Sequence, residues 1–329
     1  MISRRRIVFA FGAGTLAPLA SFAQQPQKMR RIGVLSLSVG SSEQAQYGKL
    51  LFASWMRRAG YEEGRNLSIE WRYADGDAAR LPALAEELVK LNVELIMASF
   101  NDAIAAAQRA TRTIPIVMFN SLNPVEQGFV QSLARPGGNI TGTAWGSPEV
   151  AAMLLEVLKE AVPRARRVTF IGHSTLSGTH DYSKRIAEAA GKFGIEAHFV
   201  GVERPEEIAK ALEQVAATRP QALYVALDTV LMSGLKDIIA FANKRKLPAI
   251  ANAPQFTDGG GLLSYGPDIT ELGERTIDHV ARILAGARPA DLPVELPTKF
   301  EQVINLRTAK ALGLKIPQSL LIRANRVIE

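Results

Sequence analysis

Ala134-Arg135-Pro136-Gly137-Gly138-Asn139-Ile140-Thr141-Gly142-Thr143 divides the chain into two similar halves. Two glycines after a proline cannot continue a helix, and Ile140 to Thr143 reads as a short strand leaving that turn. Apolar strand-like runs alternate with helix-like runs before this stretch, and the alternation starts again after it. It is expected to be a crossover between two α/β lobes, with the working site in the space between them.

Upstream, Arg31 to Leu35, Leu67 to Trp71, Leu95 to Ala98 and Pro115 to Phe119 read as strands. Between them, the Tyr47–Arg58 spacing, Leu81 to Leu91 and Ala103 to Ala110 read as helices, with Gly60 closing the first and Asp102 able to cap the third. This order predicts a parallel sheet with helices on both faces. Ligands of such sheets bind beyond the carboxyl ends of the strands. That singles out Ser36, Ser38, Ser99, Asn101, Asn120 and Ser121, although serine and asparagine after a strand are also ordinary turn residues.

Downstream, strands are expected at 168–171, 196–200, 222–226, 248–251 and 262–265, with helices at 151–161, 182–193, 206–218, 230–245 and 271–284. Their exit loops carry His173, Asp228 and Asn252 and should face the same cleft. The chain is expected to return to the first lobe near Asp268 and to cross a third time between Pro289 and Pro297. A strand (300–306) and a short helix (308–312) follow. The boundaries are then 28–143 plus 267–288 for one lobe, and 144–266 plus 289–329 for the other. Two lobes joined by three strands can bend as a hinge.

At the N-terminus, Arg4-Arg5-Arg6 precede the apolar run Ile7 to Leu19, and Ser21-Phe22-Ala23 ends it with small residues. Basic, apolar and small-residue regions in that order make a secretory signal peptide over residues 1–23, and Ser3-Arg4-Arg5 also admits a twin-arginine route. Gly12-Ala13-Gly14-Thr15-Leu16-Ala17 matches a dinucleotide fingerprint. Pro18 would break the helix it needs, however, and no acid follows until Glu43.

Hydrophobic residues make up 47% of the 329, enough for large cores, and cysteine is absent. No disulfide, thiolate nucleophile, Cys-held metal or lipobox anchor is therefore possible. The formal charge of +7 falls to +4 once Arg4, Arg5 and Arg6 are set aside. Such a mild, dispersed excess is not a nucleic-acid footprint. His173, His180 and Asp181 fall on different local structures with no further ligand nearby, so no metal is expected. No cofactor is expected, and no nucleophile–base pair is recognisable. The sequons at Asn66 and Asn139 would matter only in a eukaryotic secretory context.

Several motifs together resemble a known family: Ile114-Pro115-Ile116-Val117, Asn123-Pro124-Val125, Arg135-Pro136-Gly137-Gly138-Asn139-Ile140-Thr141-Gly142, Leu263-Ser264-Tyr265-Gly266, Ile283-Leu284-Ala285-Gly286 and Ile304 to Pro317. The chain resembles ABC transporter substrate-binding proteins of the group that includes tryptophan and tyrosine binders. The resemblance implies a type I periplasmic-binding fold: two α/β lobes, three crossing strands and a ligand between them. It further implies an exported, periplasmic, non-enzymatic monomer that binds a small molecule, such as an aromatic or branched amino acid, and hands it to an inner-membrane permease.

By that analogy an amino acid needs donors for its carboxylate and an acid or carbonyls for its ammonium. Ser99 and Asn101 sit where a helix opens and favours an anion. Asp228 and Asp268 are the candidate ammonium partners, although Asp268, following Pro267, is also a good helix cap. Asn252 and His173 are further candidates, and Phe100, Phe119 and Tyr265 could wall the cleft. Members of the family often carry Thr or Pro where this chain has Phe100-Asn101-Asp102. A periplasmic ligand sensor is the alternative function. A nucleotide enzyme is disfavoured, since Ser36-Leu37-Ser38-Val39-Gly40 is neither phosphate-loop pattern.

Overall fold

A computed structural model describes residues 28–145, 148–173 and 177–329. The expected signal peptide and part of the loop after His173 lie outside the described residues.

The first lobe opens with strand β1 (Arg30–Ser36), helix α1 (Glu43–Arg58), β2 (Leu67–Tyr73), α2 (Leu81–Lys90), β3 (Leu95–Ser99), α3 (Phe100–Ala110), β4 (Ile116–Leu122) and β5 (Ile140–Trp145). The five strands form one sheet in the order β2-β1-β3-β4-β5, all parallel. Alternation along each strand divides the core between the two faces. Ile32, Val34, Leu95 and Met97 pack with Phe52, Trp55 and Met56 of α1. Leu35, Ile96 and Ala98 face Leu81, Leu88 and Ile104 of α2 and α3. The buried side of α1 is thus Phe52-Trp55-Met56, whereas Tyr47 and Leu50 of the helical spacing point to solvent.

The second lobe continues with α4 (Pro148–Ala161), β6 (Arg167–His173), α5 (Ser177–Lys192), β7 (Glu196–Val202), α6 (Ile208–Ala217), β8 (Ala222–Val225), α7 (Thr229–Ser233), α8 (Leu235–Lys244), β9 (Ala249–Ala251), α9 (Pro254–Asp258) and β10 (Leu263–Pro267). Helix α10 (Ile269–Leu284) then packs back on the first sheet, against β3, β4, β5 and α1. The last elements are β11 (Phe300–Asn305), α11 (Leu306–Ala311), α12 (Gln318–Arg323) and β12 (Arg326–Ile328). The second sheet runs β12-β11-β10-β9-β8-β6-β7. Its β7-β6-β8-β9-β10 portion repeats the order of the first sheet; β11 is added antiparallel. The single helix expected over 230–245 is two, α7 and α8, broken at Gly234. A Cβ there would come within 2.5 Å of Ile208.

Three passages join the lobes: after β5, at Asp268, and from Pro289 to Lys299. They are bonded side by side. Ala144 N–H donates to Glu295 O at 3.0 Å, Glu295 N–H to Gly142 O at 3.0 Å, and Asp268 N–H to Lys299 O at 3.0 Å. The quoted stretch therefore has two jobs. Gly137 has φ +77 in the turn, and Gly142 has φ +131 where a Cβ would lie 2.3 Å from Met118 O. Only glycine lets β5 run that close to β4.

Candidate functional site

The carboxyl ends of both sheets meet between the lobes, where two adjoining hollows share the Phe100 ring as a common wall. The smaller is a chamber of about 60 Å³ between the lobes. Phe100, Asn120, Leu122 and Trp145 line it from one side, and His173, Leu227 and Asp228 from the other. The larger, about 180 Å³, runs into the first lobe between α1, α10 and the strand ends. Its walls are mostly apolar and aromatic: Phe52, Trp55, Trp71, Tyr73, Phe100 and Phe119, with Ser36, Ser38 and Ser99 at the strand ends. The rings brace one another. Phe52 meets Trp71 edge-on at 5.4 Å, Trp71 stacks on Tyr73 at 6.0 Å, and the Lys49 ammonium lies 5.0 Å from the Tyr73 ring. Burial pushes the Tyr73 hydroxyl up to about 12, so it stays neutral.

Strained backbone aims the shared wall. Phe100 starts α3 with φ 63, and Asn120 has φ 62 where the β4–β5 register shifts between Met118 and Ser121. A bulge of this kind redirects a side chain out of the sheet. For a bulky residue such as phenylalanine, a left-handed backbone costs energy and persists only where the surroundings enforce it. Asn120 is 7% exposed, and its Oδ1 is buried with no hydrogen-bond partner.

The remaining expected site residues divide by what their polar atoms do. Asn101 donates Nδ2–H to Leu122 O at 2.8 Å, and its Oδ1 accepts from Leu122 N–H at 2.9 Å and Ser121 Oγ at 3.1 Å. Asn252 does the same in the second lobe: Oδ1 accepts from Leu227 N–H at 2.7 Å and Nδ2 donates to Leu227 O at 3.1 Å. Each amide thus mimics a strand neighbour and fixes the loop that carries a chamber residue. Ser121 is fully buried behind Asn101. Ser36 and Ser38 hydroxyls bond each other at 2.9 Å beside the aromatic hollow.

Asp228 is the N-cap of α7, accepting from Leu231 N–H at 2.8 Å, and still lines the chamber. Burial pushes its carboxyl up against the opposing pull of His173. His173 Nε2 lies 3.0 Å from Glu203 O. Two candidates are placed away from both hollows. Tyr265 stacks on Phe300 at 5.7 Å, and Asp268 caps α10 through Thr270 and Glu271 N–H. Asp102 does not cap its helix: α3 starts earlier, at Phe100 after Ser99, and Asp102 lies in its first turn. The rings of α1 and β2, and Trp145 at the first crossing, are site walls that reading by strand-exit loops overlooks. The one signal for them was alternation, which puts Ile69 and Trp71 on the α1 face of β2.

This two-lobed architecture defines a solute-binding protein of the type I periplasmic-binding class. The sequence profile described as ABC transporter substrate binding protein matches residues 41–328, and the chain belongs to that family. The tyrosine-binding protein of Clostridioides difficile strain R20291 is 29% identical over 297 residues, covering 88% of this chain and 82% of that one. A Vibrio cholerae conserved domain protein superposes with a TM-score of 0.85 at 26% identity, covering 91% of this chain and all of its own. The ABC domain of Streptococcus pneumoniae in complex with L-Trp gives 0.83 at 26% identity, covering 92% of this chain and 100% of that one. Among the described residues, no helix is long and apolar enough to cross a membrane.

Proposed function

We propose that this chain is the exported solute-binding component of an ABC importer. It takes up one small molecule bearing an aromatic or branched apolar group and delivers it to a permease. On this reading, residues 28–143 with 267–288 form one closing lobe, residues 144–266 with 289–329 the other, and residues 1–23 direct export. The observation that carries the reading is the pair of hollows meeting at Phe100: a small chamber that both lobes complete, with Asn120, His173 and Asp228 among its walls, opening beside a ring-lined cavity. An apolar cavity of roughly 150 Å³ accepts a benzene-sized ring, so a hollow of about 180 Å³ suits one ring or a branched chain. The tyrosine-binding relative and the L-Trp complex support an amino-acid-like ligand.

The test is a thermal-shift screen of aromatic and branched amino acids, nucleosides and small carboxylates, followed by titration calorimetry of the hits. One ligand per chain and no chemical change in the recovered ligand are expected. Steady conversion of a bound compound, or no binder in the library, would overturn it.

A further inference from the structure

The carboxyl ends of the second sheet's parallel strands face the first lobe, so the loops that enter those strands lie at the end of the second lobe away from the cleft. Backbone bonds hold four of these loops side by side. Leu223 N–H donates to Pro248 O at 2.9 Å, Gln221 N–H to Arg167 O at 2.8 Å, and Glu196 N–H to Arg166 O at 2.6 Å. Lys244, Arg245 and Lys246 lead into β9, and Arg219 into β8. Arg164 and Arg166 lead into β6, which starts at Arg167, and Lys192 ends α5 before β7. All are exposed, and among the described residues none has a carboxylate within ion-pair reach. At the usual spacing of strands, four neighbouring entries make a row about 15 Å long. The one acid within these loops, Glu196, lies 3.1 Å from His198 Nε2. Elsewhere on the lobe, Glu160 and Asp258 are held by Arg323 and Arg326.

The matching loops of the first lobe are built differently. Glu94 takes Lys28 at 3.2 Å and Arg30 at 2.6 Å, and Glu62 lies 3.7 Å from both Arg57 and Arg65. Arg112 and Arg135, before β4 and β5, are single bases of their loops. Two repeats of one sheet plan thus differ at this edge: one is largely self-neutralised, the other bare. Like charges gathered on one surface repel and oppose the compact state, and an anionic partner removes that repulsion. In the sequence these bases are spread over residues 164–246 and read as part of a dispersed excess; strand order alone brings them to one edge.

We propose that this row docks the protein on an anionic phospholipid bilayer, with the end of the second lobe against the headgroups and the cleft held clear of the surface. Each Lys or Arg close to an anionic leaflet strengthens binding about fivefold, and the attraction fades beyond roughly 8–10 Å. A row of exposed, flexible side chains on one end brings several charges inside that range at once. A layer of lipid phosphates asks for no stacking partner. A nucleic-acid strand does, and the two rings beside the row offer none. Phe193 packs on the core of the second lobe, and Phe241 lies 4.8 Å under the Arg245 guanidinium. On the importer reading the protein works beside a membrane, and a weak, reversible hold there shortens its search for the permease. Membrane contact and lobe closure use different parts of the molecule, so the docking holds whichever solute fills the cleft.

The experiment is cosedimentation of the purified protein with large vesicles: phosphatidylglycerol mixed with phosphatidylethanolamine, against phosphatidylcholine alone. Binding is expected to the anionic vesicles only. It should disappear as salt rises from about 0.05 to about 0.5 M and the screening length shrinks. The quadruple variant Arg164→Gln, Arg166→Gln, Lys192→Gln, Lys244→Gln should bind at least about a hundredfold weaker. Its four side chains make no hydrogen bond or ion pair among the described residues, and glutamine keeps their helix propensity, so the melting temperature should hold. If it misfolds, the pair Arg164→Gln, Arg166→Gln alone should weaken binding about twentyfold. A control that removes as many charges from the first lobe, Arg57→Gln, Arg65→Gln, Lys90→Gln and Arg112→Gln, should bind as the parent does. No sedimentation with anionic vesicles at low salt, equal binding to both lipids, or equal loss in both quadruple variants overturns the proposal. So does displacement by inorganic phosphate at constant ionic strength, which marks a discrete anion site. Tighter binding to a single-stranded oligonucleotide than to the vesicles overturns it in favour of a nucleic-acid edge. None of these outcomes touches solute binding, which calorimetry reads separately in each variant.

Discussion

At the scale of single residues, the site rests on asparagines with opposite duties. Asn101 and Asn252 hold backbone, whereas Asn120 presents an unsatisfied oxygen to the chamber. Asn252→Ala should leave the buried C=O of Leu227 without its Asn252 donor, while the N–H keeps Val225 O at 3.0 Å, and cost about 1–2 kcal/mol, read as a lower urea midpoint. Asn120→Ala removes an orphan acceptor instead, so it should cost little stability and reduce ligand affinity. Phe100 makes the converse case. Phe100→Gly relieves a left-handed strain of about 1–3 kcal/mol, offsetting the lost ring burial. The melting temperature should therefore stay within a few degrees while calorimetry shows affinity falling about tenfold or more, as for removal of a buried aromatic anchor. These duties were only partly legible in the sequence. Strand-exit position flagged all three asparagines alike. Which oxygen would be left over depends on a bulge in β4, and nothing in Phe119-Asn120-Ser121 announces it.

At the scale of elements, α10 joins the hinge to the pocket. Gly273 faces the α1 ring so closely that a Cβ would come within 2.2 Å of Trp55. Both residues line the aromatic hollow. Gly273→Ala should push the indole toward that space and weaken binding with only a modest change in stability, checked by calorimetry beside thermal melting.

Glu271 fastens the third crossing to the start of the same helix. It accepts from Lys299 N–H at 2.9 Å, Arg275 Nη2 at 2.9 Å and the Thr298 hydroxyl. Burial opposes its ionisation, but these hydrogen bonds prevail and hold its pKa at about 2, against 4.5 for an ordinary glutamate. The folded value lies below the unfolded one, so the clamp contributes fully above pH 4.5 and is lost as pH falls toward 2. Glu271→Gln should lower the melting temperature at neutral pH and flatten its decline between pH 4.5 and 2. Most strands were legible because apolar runs of strand length alternate with helical spacing. In the second lobe, α9, α12 and β12 escaped notice. At three to six residues, they are shorter than the windows in which periodicity can be read.

At the scale of the whole molecule, the lobes are in contact. One apolar cluster runs from the α2–α3 side of the first lobe to the α6–α8 side of the second, and Gly76 approaches Pro205 across the gap. Such a disposition matches a shut clamshell, in which a ligand would be enclosed. Small-angle scattering should report a smaller radius of gyration with a binder than without, since the three bonded passages allow a bend and not a slide. The motif-bearing stretches made this architecture readable in advance. The identity of the ring-lined hollow was not readable, because its walls come from β1, α1, β2, β3, α3, β4 and α10, brought together only by folding.

The measurement that bears most directly on the account is a crystal structure of the protein with the compound that most raises its melting temperature. The account predicts ligand density enclosed between the lobes, its apolar part beside Trp55 and Trp71 and its polar end against Asn120 and Asp228. Density bound at any other surface, with both hollows filled only by solvent, would contradict it.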